Sequence, residues 1–165
     1  MPGNSVNGAL PALVFAIGEL QARIRPLGIA WQVADYGGLR TQSDTVKILA
    51  FRDADWNAAV KRDPSLVQRT TKEQWRKISP WGRSMHNYGA AFDVEIVSSP
   101  PGMSRLAALN IVLDAGVDLG LVSGRSFGDP PHLELAFPGA SPGASALAAA
   151  KAEWRSLNGT AFFRR

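Results

Sequence analysis

At 165 residues, 45% of them hydrophobic and 19% charged, the chain has the length of one domain and a globular rather than disordered composition. Such a domain can bury roughly 70% of its unfolded surface. It contains no cysteine, which excludes a disulfide framework and a thiolate metal site, so any metal must be held by histidine and carboxylate. The formal charge of +4 favours polyanionic surroundings such as nucleic acid, anionic lipid or wall polymer, without choosing among them.

No run approaches the roughly 20 apolar residues of a membrane helix, so no stable membrane insertion is expected. Ala9 to Ile17 is apolar but broken by Pro11, and the first basic residue is Arg23, so no secretory signal is expected. Residues 1–8 are expected to be flexible. Leu10, Leu13, Val14, Ile17, Leu20 and Ile24 follow helical spacing, which Pro26 and Gly28 end. Ala30 to Tyr36 reads as a strand, and Gly37-Gly38 turns the chain into Leu39-Arg40-Thr41. Ser43-Asp44 is expected to cap a helix through Ile48 and Leu49. Pro64 to Gly82 is polar and basic without a sustained period, and is expected to be mostly loop.

A second strand is expected over Ala91 to Val97, ended by Pro100-Pro101-Gly102. Ser104 then starts a helix carrying Leu106, Leu109, Leu113 and Leu119, stopped at Gly120. His132 to Phe137 reads as a further strand. Gly139 to Gly143 is a small-residue linker, and residues 144–165 form a C-terminal helix and tail. There is no internal repeat. Mixed helices and short strands without βαβ alternation predict an α+β class: a small antiparallel sheet with flanking helices, in one domain over residues 1–165.

The chain holds only two histidines, each with an aspartate nearby: Ser84-Met85-His86 ahead of Asp93, and Asp129-Pro130-Pro131-His132. Side chains alternate along a strand. In the first strand Phe92, Val94 and Ile96 share one face, and Asp93 and Glu95 the other. In the second, Leu133, Leu135 and Phe137 oppose His132 and Glu134. Each strand thus offers an apolar face to a core and a ligand-bearing face to a pocket. Gly89 permits a tight bend between His86 and Asp93. If the strands are near neighbours, His86, Asp93 and His132 converge on one point. Two imidazoles and one carboxylate form a catalytic zinc set with a fourth position left for water, on one face of the sheet. Asp129 then lies beside the metal without having to bind it.

A single histidine near an aspartate is ordinarily a structural hydrogen bond. Here both histidines repeat the arrangement with none to spare, which favours a shared site. Glu95 and Glu134 read as solvated or paired charges and are left outside it. Gly124-Arg125-Ser126-Phe127-Gly128 fits the G-x-S-x-G elbow of serine hydrolases. That elbow needs a helix directly after the serine, which Asp129-Pro130-Pro131 opposes, so the serine mechanism is rejected.

The pattern Ser84-x-His86-x-x-Gly89-x-Ala91-x-Asp93, with Asp129-x-Pro131-His132, resembles the zinc D,D- and L,D-peptidases related to vancomycin-resistance carboxypeptidases. Within that group it looks most like the L-alanyl-D-glutamate endopeptidases among phage endolysins, over about Leu10 to Phe137. The resemblance implies one zinc ion held by His86, Asp93 and His132, with Asp129 as general base. It implies that Arg40 contacts substrate or stabilises the oxyanion; on its own, an arginine there reads equally as a surface salt bridge. Ser84 either hydrogen-bonds within the site, as a substrate contact, or caps a turn. The chain departs from the family pattern at Asp44-Thr45, where an acid–glutamine pair is common, and in Val122 to Ser126, which lacks a tryptophan.

Zinc in such a set lowers the pKa of water to about 7 and polarises a scissile carbonyl, while Asp129 takes and passes on the proton. The expected partner is bacterial peptidoglycan rather than nucleic acid, and the expected state a monomer. Without a signal, the resemblance implies a protein made in the host cytoplasm and released to the wall through a holin. Two alternatives compete: a D-alanyl-D-alanine carboxypeptidase on the same zinc site, and a metal-stabilised wall-binding module without turnover. Asp129 argues against the module, because a structural zinc site is closed by four ligands.

Overall fold

Leu13, Ile17, Leu20 and Ile24 fall on one stripe of the first helix, and all four are buried. The computed structural model describes residues 8–35, 37–76 and 82–158. Within them α1 (Pro11–Ile24) opens with proline in its first turn, and its last turn passes into a 3₁₀ turn closed by Gly28. Four strands follow in one sheet: β1 (Ala30–Val33), β2 (Ala91–Ser98), β3 (Leu121–Ser123) and β4 (His132–Leu135). Their spatial order is β1-β2-β4-β3, and every neighbouring pair is antiparallel. The class is α+β, as the sequence implies.

One face of the sheet carries the core. Phe92, Val94 and Ile96 of β2, Leu121 of β3 and Leu133 of β4 meet the α1 stripe and α5 (Arg105–Asp118). Helix α5 is capped by Ser104, whose hydroxyl accepts from the Ala107 N–H at 3.1 Å. It packs through Ala108, Val112 and Leu113, while Leu106 is exposed. A second cluster joins the chain ends to the histidine turn. Leu10, Met85, Tyr88, Ala90 and Ala91 are buried against Ala146, Ala150 and Trp154 of α6 (Ala144–Asn158). The last helix therefore braces the turn that carries His86.

Several boundaries differ from the sequence expectation. The expected strand from Ala30 stops at Val33, and Tyr36, at its expected end, lies outside the described residues, as do residues 1–7 and the tail from 159. Helix α2 (Gln42–Arg62) is capped by Thr41 rather than Ser43, because Thr41 and Asp44 form a reciprocal capping box. It also runs well beyond Leu49. The expected loop after Pro64 holds two short helices, α3 (Leu66–Arg69) and α4 (Lys72–Arg76), with 77–81 outside the described residues. Contacts rather than periodicity hold α4: Trp75 donates to Asp55 at 3.1 Å, and Arg76 binds Asp53 at 2.6 Å. Strand β3 has three residues, too few for alternation to reveal it. Strand β4 ends at Leu135, two residues short of Phe137.

Gly89 joins the histidine turn to β2 at φ +61°, and a Cβ there would lie 2.5 Å from the Ala9 Cα. Gly102 has φ +83° with open space around it. In denaturant unfolding, Gly102→Ala should cost only left-handed strain, about 1–3 kcal/mol, and Gly89→Ala more. Equal losses would show that the Ala9 contact relaxes freely.

Candidate metal centre

Antiparallel register sets Asp93 directly opposite His132, with their neighbours Phe92 and Leu133 also paired. Directly opposed residues bring their Cβ atoms to about 5 Å on one face. Since Phe92 and Leu133 point into the core, Asp93 and His132 must both point out of it. Val94 donates to the Pro131 carbonyl at 2.8 Å, tying β2 to the chain just before His132.

His86 arrives from a 3₁₀ turn, Met85–Tyr88, closed by Gly89. Ser84 caps this turn, its hydroxyl accepting from the His86 N–H at 3.3 Å, so the capping reading of Ser84 is what the geometry displays. Buried Asn87 accepts from the Gly82 and Ser84 N–H groups at 3.0 and 3.2 Å, fixing the entry to the turn. From the other side, Asp93 N–H donates to Gly37 at 2.7 Å, and Arg40 N–H to the His86 carbonyl at 3.1 Å. A Cβ on Gly37 would sit 2.9 Å from that of Asp93, so this approach requires glycine.

The result is a convergence of three ligand atoms. His86 Nε2 and His132 Nδ1 lie 3.1 Å apart, and each is 3.3 Å from Asp93 Oδ1. The other imidazole nitrogens are engaged: His86 Nδ1 with the Gly38 carbonyl at 3.1 Å, and His132 Nε2 with Glu134 Oε2 at 2.9 Å. A carbonyl and a carboxylate can only accept, so both outer nitrogens donate. Three acceptors then face one another and need a positive charge between them. The group is suited to one metal ion: two imidazoles and a carboxylate, all within 4.8 Å of one another.

Burial acts first on each pKa. It dominates at His86, which is held below its ordinary value and so is neutral. At Asp93 burial opposes ionisation, yet the hydrogen bond from His132 and the nearby Arg40 charge hold the carboxyl well below the usual range. At His132 burial is outweighed by Asp93 and Glu134, and the ring is pushed up to about 9. In the metal-free protein a proton on His132 Nδ1 thus stands where a cation would.

Around this cluster opens a cleft of about 1140 Å³, lined by Arg83, Ser84, Phe127, Asp129, Gly143 and Leu147 among others. Asp129 stands at its mouth, half-exposed, with Oδ2 4.0 Å from His132 Nδ1. Arg40 also lines the cleft, but one guanidinium nitrogen donates to Asp93 Oδ2 at 2.8 Å, leaving Oδ1 for the cluster. The serine of the rejected elbow, Ser126, donates to the Ser123 carbonyl at 3.2 Å, on a 3₁₀ turn rather than before a helix. Glu95 takes a hydrogen bond from Gln32 away from the cluster. Glu134 is different: only 5% exposed, it accepts from His132 at 2.9 Å, so of the two readings, solvated or paired, it is paired. Its shared strand face with His132 was the available signal. Phe127, half-exposed with its ring 5.6 Å from that of His132, gave no such signal.

The sequence matches no protein-family model and no curated protein. Among solved structures the fold is similar to a point mutant of the vancomycin-resistance D,D-pentapeptidase VanY from a VanB-type cassette, in complex with Zn(II). That match has a TM-score of 0.57 and 16% identity over 89% of this chain and 78% of the other. A structure of VanYB in complex with D-alanine-D-alanine is similar at the same TM-score of 0.57, with 15% identity over 90% and 77%.

The raised pKa of His132 has a definite sign. Its contribution to stability is complete below the unfolded value of about 6.5 and lost as pH rises through about 9. The metal-free protein should therefore lose melting temperature, relative to His132→Gln, between those pH values, and a saturating divalent metal should remove the loss. A wild-type-minus-variant difference that stays flat across this window would contradict the protonated cluster.

Proposed function

We propose that the chain is a zinc-dependent peptidoglycan peptidase that cleaves the L-Ala–D-Glu bond of the stem peptide. The observation that carries this reading is the convergence of His86, Asp93 and His132 beside a carboxylate, Asp129, at the mouth of an open cleft. The sequence pattern around these four residues supports it. The likeness in fold to a peptidase described with Zn(II) and another described with D-alanine-D-alanine supports a zinc peptidase of peptidoglycan but not the choice of bond.

In this reading His86, Asp93 and His132 hold one zinc ion, whose Lewis acidity would make water nucleophilic near neutral pH and polarise the scissile carbonyl. Asp129, beside the cluster but outside it, accepts a proton from the attacking water and returns it to the leaving amine. Arg40 lines the cleft, and its guanidinium charge stabilises negative charge on substrate oxygen. Burial pulls the Arg40 pKa down and the surrounding Asp93, Asp129 and Asp44 oppose that. Ser84 contributes by holding the His86 turn at the wall of the cleft, where a substrate backbone passes.

Residues 1–165 act as one catalytic domain and as a monomer, on wall polymer and not on nucleic acid. None of the helices in the described residues is long and apolar enough to cross a membrane. As an endolysin the protein is made in the host cytoplasm and reaches the wall on release. The D-alanyl-D-alanine carboxypeptidase reading has one observation in its favour, the D-alanine-D-alanine complex of the second structure. Mass spectrometry of digested peptidoglycan separates the two, through new N-terminal D-glutamate (or its amide) in one case and released D-alanine in the other. New reducing sugar ends would sink both.

Asp129→Asn keeps the shape of the side chain and removes its ability to take a proton at neutral pH. It should retain metal and melting temperature while turnover falls roughly 10²–10⁴-fold. Asp93→Asn should instead weaken the metal, since a neutral amide is a poorer ligand. The opposite pattern would reverse the two assignments.

A further inference from the structure

Two imidazoles enter the cluster, but they are not held alike. His86 donates from Nδ1 to a neutral backbone carbonyl, Gly38, at 3.1 Å. His132 donates from Nε2 to the Glu134 carboxylate at 2.9 Å. Glu134 is 5% exposed, so a charge has been taken out of water, which is expensive unless it is paired. Its paired group is His132, and the two side chains share one face of β4 two residues apart.

We infer that Glu134 is a positioning residue of the metal centre: it fixes which nitrogen His132 presents and strengthens that nitrogen as a donor. The inference rests on the metal-binding reading of His86, Asp93 and His132. With Nε2–H committed to Glu134, the neutral His132 ring carries its lone pair on Nδ1, the atom that faces His86 Nε2 and Asp93 Oδ1. A carboxylate partner also draws the Nε2 proton toward itself and makes the ring more basic at Nδ1, which a neutral carbonyl does less. Glu134 adds a second negative charge to that of Asp93, while Arg40 balances one of them. Unlike His86, which a backbone group orients, His132 can be released by mutation.

The test uses zinc ion alone on the full chain, measured by competition with a chromophoric chelator, and nitrogen-15 NMR of the histidine rings in the loaded protein. Glu134→Gln keeps the volume and an accepting oxygen but loses the charge, while Glu134→Ala loses both. Affinity should fall about tenfold for Gln and about a hundredfold for Ala, with one zinc still bound. The His132 Nε2–H tautomer should persist in Gln and become mixed in Ala. In a His132→Ala background neither change should alter the remaining zinc affinity, which a merely structural carboxylate would not satisfy. Should the Ala variant fail to fold, the isosteric Gln variant decides alone. Wild-type affinity and an unchanged tautomer in Glu134→Gln and Glu134→Ala would overturn the inference and leave the metal site standing. Absence of zinc binding by the wild type would overturn both.

Discussion

Three hydrogen-bond acceptors forced to within 3.3 Å of one another repel, and they stay together only around a positive charge. Much of this fold can be understood as the apparatus that imposes that approach. The outer nitrogens of both imidazoles are already spent, and the second oxygen of Asp93 is taken by Arg40, so each residue has one atom left and all three aim inward. A proton satisfies the cluster when metal is absent, which is why His132 is pushed up to about 9. A divalent ion satisfies it better, because all three lone pairs then coordinate.

The approach is imposed from both sides of the sheet. Below, Phe92 and Leu133 are fully buried against α1 and α5, and the alternation of a strand turns Asp93 and His132 the other way. One residue of register slip would bury the ligands and expose the core, so hydrophobic burial fixes the ligand geometry as well. Above, the His86 turn is held by its cap, by Asn87 and by α6, whose Trp154 is buried beside Tyr88 and Met85. The C-terminal helix, which falls outside the sequence resemblance, thereby supports the one ligand that does not come from the sheet. Asp129 is half-exposed, with Oδ2 4.0 Å from His132 Nδ1 and outside the three-residue cluster.

What the sequence made legible follows from how local each signal is. The alternation in Phe92-Asp93-Val94 and His132-Leu133-Glu134 states which side chains share a face, and the sheet obeys it. Pairing of β2 with β4 is a long-range event, so sequence could pose the convergence of His86, Asp93 and His132 only as a condition. Helix α4 was illegible because it draws stability from Asp53 and Asp55 of α2 rather than from an apolar period, and α3 is a single turn tied back to Asp63 through Arg69. Glu134 was legible in position but not in burial: an acid on a ligand-bearing face looks solvated in sequence, while in the fold it is only 5% exposed. The cap of α2 was misplaced by two residues, since Thr41 and Ser43 are both competent caps and only the reciprocal bond with Asp44 chooses.

Two imidazoles and one carboxylate of this chain make one mononuclear site. X-ray absorption at the zinc edge of the loaded protein tests it directly. The expected spectrum shows a first shell of about four nitrogen and oxygen atoms at roughly 2.0–2.2 Å, with the outer-shell scattering of two imidazole rings. A shell of oxygen alone, without imidazole scattering, would contradict it.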